Sequence, residues 1–204
     1  MNYELFTDIA DIDLTEALAT VGPQRREHAL RYRREHDQRL SIAAFQLLQR
    51  LLSRHYGISE PPVFAFEANG KPFLADHPDI FFNLSHCQEA VACVVGDVPV
   101  GIDVESLSSY DVSLLPSTMN DDEQQLILRS PDPRTSFVRL WTMKESLLKM
   151  TGTGIGSDMR NILNGYDANS EAFRFHTTVY PQFVCTVCEE SAIKQHHKGA
   201  VFHS

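Results

Sequence analysis

The stretch Val98-Pro-Val-Gly-Ile-Asp-Val-Glu105 alternates strictly, and its reading decides the fold. Side chains on a β-strand point alternately to opposite faces, so Val98, Val100, Ile102 and Val104 share one face while Gly101, Asp103 and Glu105 share the other. One face needs apolar cover; the other carries two carboxylates side by side. Like charges at this spacing repel unless one is protonated or a cation lies between them. Hard oxygen ligands of this kind suit Mg²⁺, and a solvated strand end is the plain alternative.

Working outward, Val63 to Glu67, Ile80 to Leu84 and Ala90 to Val95 are strand-like runs. With Val98 to Glu105 they are four runs separated by Asn69-Gly70, Asp76 to Pro78 and Gly96-Asp97, and they predict an antiparallel sheet. Before them, Pro23 to Tyr56 is rich in helix formers, with Leu40, Ala43, Ala44, Leu47, Leu48, Leu51 and Leu52 at helical spacing. This is one long helix or two, ended by Gly57. After the decisive strand the pattern recurs, with helices predicted at Asp121 to Arg129 and Arg134 to Met150 and strands near Phe173 to Tyr180 and Phe183 to Glu189. The fold class is therefore α+β, built twice. A faint echo between Glu89-Ala-Val-Ala-Cys-Val-Val and Gln182-Phe-Val-Cys-Thr-Val-Cys agrees with that.

Composition excludes several classes. With 43% hydrophobic and 22% charged residues among 204, the chain has the makings of a packed core. No run approaches the roughly 20 apolar residues of a membrane helix, and the acidic start is unlike a secretion signal, so a cytoplasmic protein is expected. A net charge of -9 argues against nucleic-acid binding. Yet Arg25, Arg26, Arg31, Arg33, Arg34, Arg39, Arg50 and Arg54 place eight of the 18 Lys and Arg in one segment, where something anionic could dock. Cys185 and Cys188 stand three apart on a strand and so face opposite ways, which favours buried thiols over zinc. The histidine-containing tail from Ser191 reads as a frayed terminus.

The helix Phe137-Val-Arg-Leu-Trp-Thr-Met-Lys-Glu-Ser-Leu-Leu-Lys-Met150 places Trp141, Glu145 and Lys149 on one stripe, four apart. Taken alone, the Glu–Lys pair is an ordinary surface pair worth about 0.2–0.5 kcal/mol. Phe81-Phe-Asn-Leu-Ser-His86 is a buried strand ending in a hydroxyl and an imidazole, which either meet a phosphate or serve the structure. Gly70-Lys71-Pro72 presents a lysine from a rigid turn, functional or merely exposed. A Ser-His-Asp hydrolase is excluded, because Ser85 and His86 face opposite sides of a strand and no nucleophile elbow is present.

In order and spacing, GKPFL, FFNLSH, VGIDVE and FVRLWTMKESLLKMTGTGI resemble the signature of the surfactin-synthetase-activating type of 4'-phosphopantetheinyl transferase, from about Arg25 to Gly156. The resemblance implies a pseudo-dimer of two similar halves, taken here as residues 1-106 and 107-204, with coenzyme A between them. It implies that Asp103, Glu105 and Glu145 hold Mg²⁺ and that Lys149 lies beside the diphosphate. Lys71, Ser85 and His86 match residues that contact the phosphates and nucleotide, and Arg25 and Arg39 match basic positions near the coenzyme. The implied partners are coenzyme A and an apo acyl or peptidyl carrier protein, the implied state a monomer, and the implied catalytic groups Glu145 and Lys149. A non-catalytic coenzyme A-binding module of the same fold is the alternative. Departures are His28, where a lysine is commoner, and Cys87, where relatives often carry serine.

Overall fold

The computed structural model of the chain describes residues 1–153, 158–164 and 172–191. The elements follow as β1 (Asn2–Phe6), α1 (Leu14–Thr20), α2 (Pro23–Leu30), α3 (Glu35–Tyr56), β2 (Phe64–Phe66), β3 (Pro72–Leu74), β4 (Phe81–His86), β5 (Val91–Gly96) and β6 (Val100–Ser106). Then come α4 (Leu115–Thr118), α5 (Asp121–Arg129), α6 (Pro133–Thr151), β7 (Phe173–Val179) and β8 (Phe183–Glu190).

The four runs expected to form one sheet divide among three: β2 pairs with β3 alone, β4 and β5 join β1, and β6 joins β8. Two antiparallel three-stranded sheets, ordered β1-β5-β4 and β6-β8-β7, therefore lie between two long helices. Alternation along β5 explains the layers. Val91, Cys93 and Val95 pack under Leu40, Ala44, Leu47, Leu48 and Leu51 of α3, while Ala92 and Val94 meet Val100, Ile102 and Val104 of β6. On the outer side of the second sheet, Leu147 and Met150 of α6 pack against Cys188 and Phe175. The layers are thus helix, sheet, sheet, helix, and the central strands β5 and β8 are buried on both faces because both sheets are covered. The two echoing stretches form β5 and β8, the central strand of each sheet.

The Arg-rich segment divides into α2 and α3 at a turn of Arg31 to Arg34, and Gly57 ends α3 with φ 69°, a left-handed cap. Helix α5 starts with a capping box, Asn120 and Glu123 each accepting the other's backbone N–H. Four elements carry no expectation from the sequence: β1, α1, β3 and α4. β1 pairs with β5, its Glu4 taking Arg50 and Arg54 from α3, and α1 is capped by Asp13. Cys185 and Cys188 fall in different clusters, and all four cysteines are free and buried. No described helix is long and apolar enough to cross a membrane. The loop Gly154 to Gly156 and the tail beyond Ser191 lie outside the described residues.

Candidate active site

Strand β6 owes its position to a missing side chain. A Cβ on Gly101 would stand 2.0 Å from the carbonyl oxygen of Ser146 and 2.6 Å from the amide of Met150, both backbone atoms of α6. Glycine therefore lets the helix lie directly on the strand. Asp103 and Glu105, on the same face of β6, then come under Glu145 and Lys149.

The contact is tight. Lys149 Nζ donates to Asp103 Oδ1 at 2.6 Å and to Ser85 Oγ at 2.9 Å, and Ser85 donates to the same carboxylate oxygen at 3.0 Å. Ser85 also accepts the Val104 amide at 3.2 Å, while Asn83 Oδ1 accepts the Ile102 amide at 3.0 Å. Two side chains of β4 thus hold β6 where no ladder joins the two sheets. His86, next along β4, points outward and is exposed. Its imidazole lies below the usual range through partial burial first and the charge of Lys149 second.

The carboxylates are uncomfortable as they stand. Asp103 Oδ2 is buried without a hydrogen-bond partner. Burial, and then the charge of Asp103, hold both Glu105 and Glu145 above the usual carboxylate range. Among the described residues no three His, Cys, Asp or Glu side chains are drawn together as a ready ion cage, and on Oδ1 of Asp103 the cation is Lys149. An orphaned carboxylate oxygen with two further carboxylates repelled by it is nevertheless a donor set that a hard cation fits.

Lys71 closes the site from the first half. Its ammonium donates to the Met150 carbonyl at 2.7 Å, at the negative end of α6, and burial lowers its pKa. Asn69 Nδ2 donates to the Gly152 carbonyl at 2.9 Å, so the turn Asn69-Gly70 sits over the helix end. Gly152 caps α6 with φ 70°, and a Cβ there would meet Asn69 Nδ2 at 2.6 Å. The result is a cleft of about 320 Å³ lined by Lys71, Asn83, Glu145, Lys149 and Gly152. Across Lys71 and Pro72 lies an apolar neighbour of about 390 Å³, walled by Phe73, Ile80, Phe81, Pro99 and Met150.

Arg25 and Arg39 line neither cleft. Arg25 binds the hydroxyl of Ser41 at 2.7 Å and its carbonyl, stacks over Phe45, and lines a separate cleft of about 460 Å³ with His28. Arg39 reaches the Ile12 carbonyl at 3.1 Å and Glu35 at 3.2 Å. Asn83 was legible in principle, two residues before Ser85 on the same strand face. Lys144 was not: wholly buried, its ammonium meets Glu123 at 2.6 Å and the carbonyls of Thr118, Met159 and Arg160.

The family model of the 4'-phosphopantetheinyl transferase superfamily matches residues 99–201. The 4'-phosphopantetheinyl transferase psf-1 of Bacillus pumilus is 36% identical over 138 residues, 66% of this chain and 59% of the relative. The 4'-phosphopantetheinyl transferase Sfp of Bacillus subtilis strain 168 is 29% identical over 141 residues, 68% and 63% of the two chains. HetI of Nostoc, also a 4'-phosphopantetheinyl transferase, is 32% identical over 157 residues, 72% and 66%. The matched region spans about six-tenths of the length of the first two relatives.

Proposed function

The chain belongs to the 4'-phosphopantetheinyl transferase superfamily, and from that premise we propose that it transfers the phosphopantetheine arm of coenzyme A to a serine of an apo carrier protein, releasing adenosine 3',5'-bisphosphate. The observation that carries this reading is one cleft holding Lys71, Glu145 and Lys149, with Asp103 directly behind Lys149.

Two ammonium groups on one cleft suit a diphosphate. Phosphoryl transfer depends chiefly on positioning and on neutralising charge. Lys149 spends two of its three N–H donors on Asp103 and Ser85, which leaves one for the leaving phosphate. Lys71, tied to the end of α6, is already ordered for a second phosphate contact. The apolar neighbouring cleft suits the less polar parts of the coenzyme, while His86 lines neither cleft and stands at the other end of β4 from it. Arg25 and Arg39 line neither cleft and enter this reading only as basic positions toward the coenzyme.

Mg²⁺ belongs to the proposal through its donor set: Asp103 by its partnerless Oδ2, Glu105 and Glu145 would hold it. When bound, the ion withdraws negative charge from the diphosphate oxygens. In the reaction the serine oxygen forms a bond to the β-phosphorus and the bridging P–O bond breaks. Glu145 takes the serine proton, a role for which a carboxylate held above its usual range is suited. Ser85 keeps Lys149 and Asp103 in register through the step. The work takes place in the cytoplasm, where coenzyme A and carriers meet.

The test is release of adenosine 3',5'-bisphosphate from coenzyme A with an apo carrier and Mg²⁺ present. Wild type should release it, and Glu145→Gln and Asp103→Asn should not while keeping their circular dichroism. Coenzyme A bound without release would instead mark a binding module, and full activity in either variant would remove the carboxylates from the mechanism.

A further inference from the structure

Most arginines of the N-terminal segment are already engaged. Arg26 binds the Leu18 carbonyl, Arg31 pairs with Glu27, Arg39 with Glu35, and Arg50 and Arg54 with Glu4, while Arg25 turns inward to Ser41. Arg33 and Arg34 are different. Both are exposed, and neither makes an ion pair or side-chain hydrogen bond among the described residues. They follow Leu30, 51% exposed, and Tyr32, 38% exposed, in the turn between α2 and α3.

This turn is built, not loose. The amides of Arg31 and Tyr32 bond back to His28 and Ala29, Gln38 Nε2 donates to the Tyr32 carbonyl at 2.8 Å, and the Tyr32 ring sits edge-on to His28. It also adjoins the site. His36, in the first turn of α3, lies 3.1 Å from the Gln88 carbonyl, two residues beyond His86, and the imidazole of His86 senses Asp37, His36 and Lys149. Of the nearby acids, Glu27 and Glu35 are paired with arginines, and the charge of Asp37 acts on the imidazole of His86.

We propose that Leu30, Tyr32, Arg33 and Arg34 are the docking surface for the carrier protein, engaging an acidic helix that also presents an apolar side chain. The proposal rests on the transfer reading above. Its warrant is complementarity: a chain of net charge -9 repels an acidic partner over most of its surface, and this rigid turn offers unpaired cations next to an exposed apolar pair, two residues before His36 and its contact near the end of β4. Such a patch, apolar at its centre and charged at its rim, has the anatomy of a protein interface.

The experiment is steady-state transfer by the full chain and by an Arg33→Glu/Arg34→Glu variant, with apo carrier and coenzyme A varied separately. We expect kcat/KM for the carrier to fall at least about tenfold, the KM for coenzyme A to stay unchanged, and the salt dependence of the wild type to flatten in the variant. Tyr32→Ala should lower the same parameter without changing the salt dependence. An unchanged carrier KM overturns the proposal. So does a rise confined to the KM for coenzyme A, which would give the arginines to the nucleotide's phosphates. Fluorescence anisotropy of labelled apo carrier separates this proposal from the transfer reading. Carrier bound by wild type, lost in the variant and never modified would uphold docking while refuting transfer. Absence of both binding and transfer in the wild type would refute the two together.

Discussion

The ammonium of Lys149 lies 2.6 Å from a carboxylate oxygen of Asp103, and the hydroxyl of Ser85 touches both. One residue from each of α6, β6 and β4 is thereby joined at the point where the two sheets meet. Asp103 is 6% exposed and Lys149 29%. Replacing Lys149 by Met leaves that carboxylate with one hydroxyl donor. Lys149→Met should lower stability by about 1–3 kcal/mol in urea unfolding, the scale for a buried group left short of partners, and abolish transfer. Unfolding at the wild-type midpoint would show the pair to be incidental.

Gly101→Ala tests the closeness of strand and helix. The new methyl would meet backbone atoms of Ser146 and Met150 that cannot rotate away. Overpacking of this kind costs about 1–3 kcal/mol, and the displaced α6 carries Glu145 and Lys149 off β6. Urea unfolding and transfer assays should both report the loss. Full activity would mean that the site tolerates a shifted helix.

Glu105 and Glu145 give a pH prediction. A carboxylate whose folded pKa is raised makes the folded state bind its proton more tightly than the unfolded chain does. The stability this brings is complete below the ordinary carboxylate range and is lost as pH rises through the raised value. At neutral pH without divalent ions, Glu145→Gln should therefore melt at or above the wild-type temperature, and the difference should shrink on acidification. A Gln variant that melts clearly below wild type at neutral pH would contradict the burial and charge described for this group.

Lys144, the neighbour of Glu145 in sequence, should behave in the opposite way. Its ammonium is enclosed by Glu123 and three carbonyls, tying α5 and the segment around Met159 to α6. Removing one partner of a buried pair costs about 3–5 kcal/mol, so Lys144→Met should be severely destabilised or fail to fold. Stability near wild type in urea would show that the cage can close without its cation.

Much of this was legible in the sequence because period and spacing act locally. Alternation at Val98 to Glu105 placed both carboxylates on one face, and the four-residue stripe placed Glu145 and Lys149 together. The echo between β5 and β8 was faint, yet both are the central strands of their sheets. Strand β1 escaped because its five residues include Asn2 and Glu4, and only pairing with β5 stabilises so short an edge. Lys144 escaped because burial of a lysine depends on carbonyls 15 to 26 residues away, which no local pattern encodes. The inward turn of Arg25 toward Ser41 depends likewise on how α2 meets α3.

The central claim is transfer, and intact-mass spectrometry of an apo carrier tests it most directly. The carrier would be incubated with this protein, coenzyme A and Mg²⁺, and in parallel with EDTA. The account predicts a mass gain of one phosphopantetheine on a serine, present with the metal and absent with the chelator. Apo carriers from several pathways that all stay unmodified, while coenzyme A still binds, would contradict it.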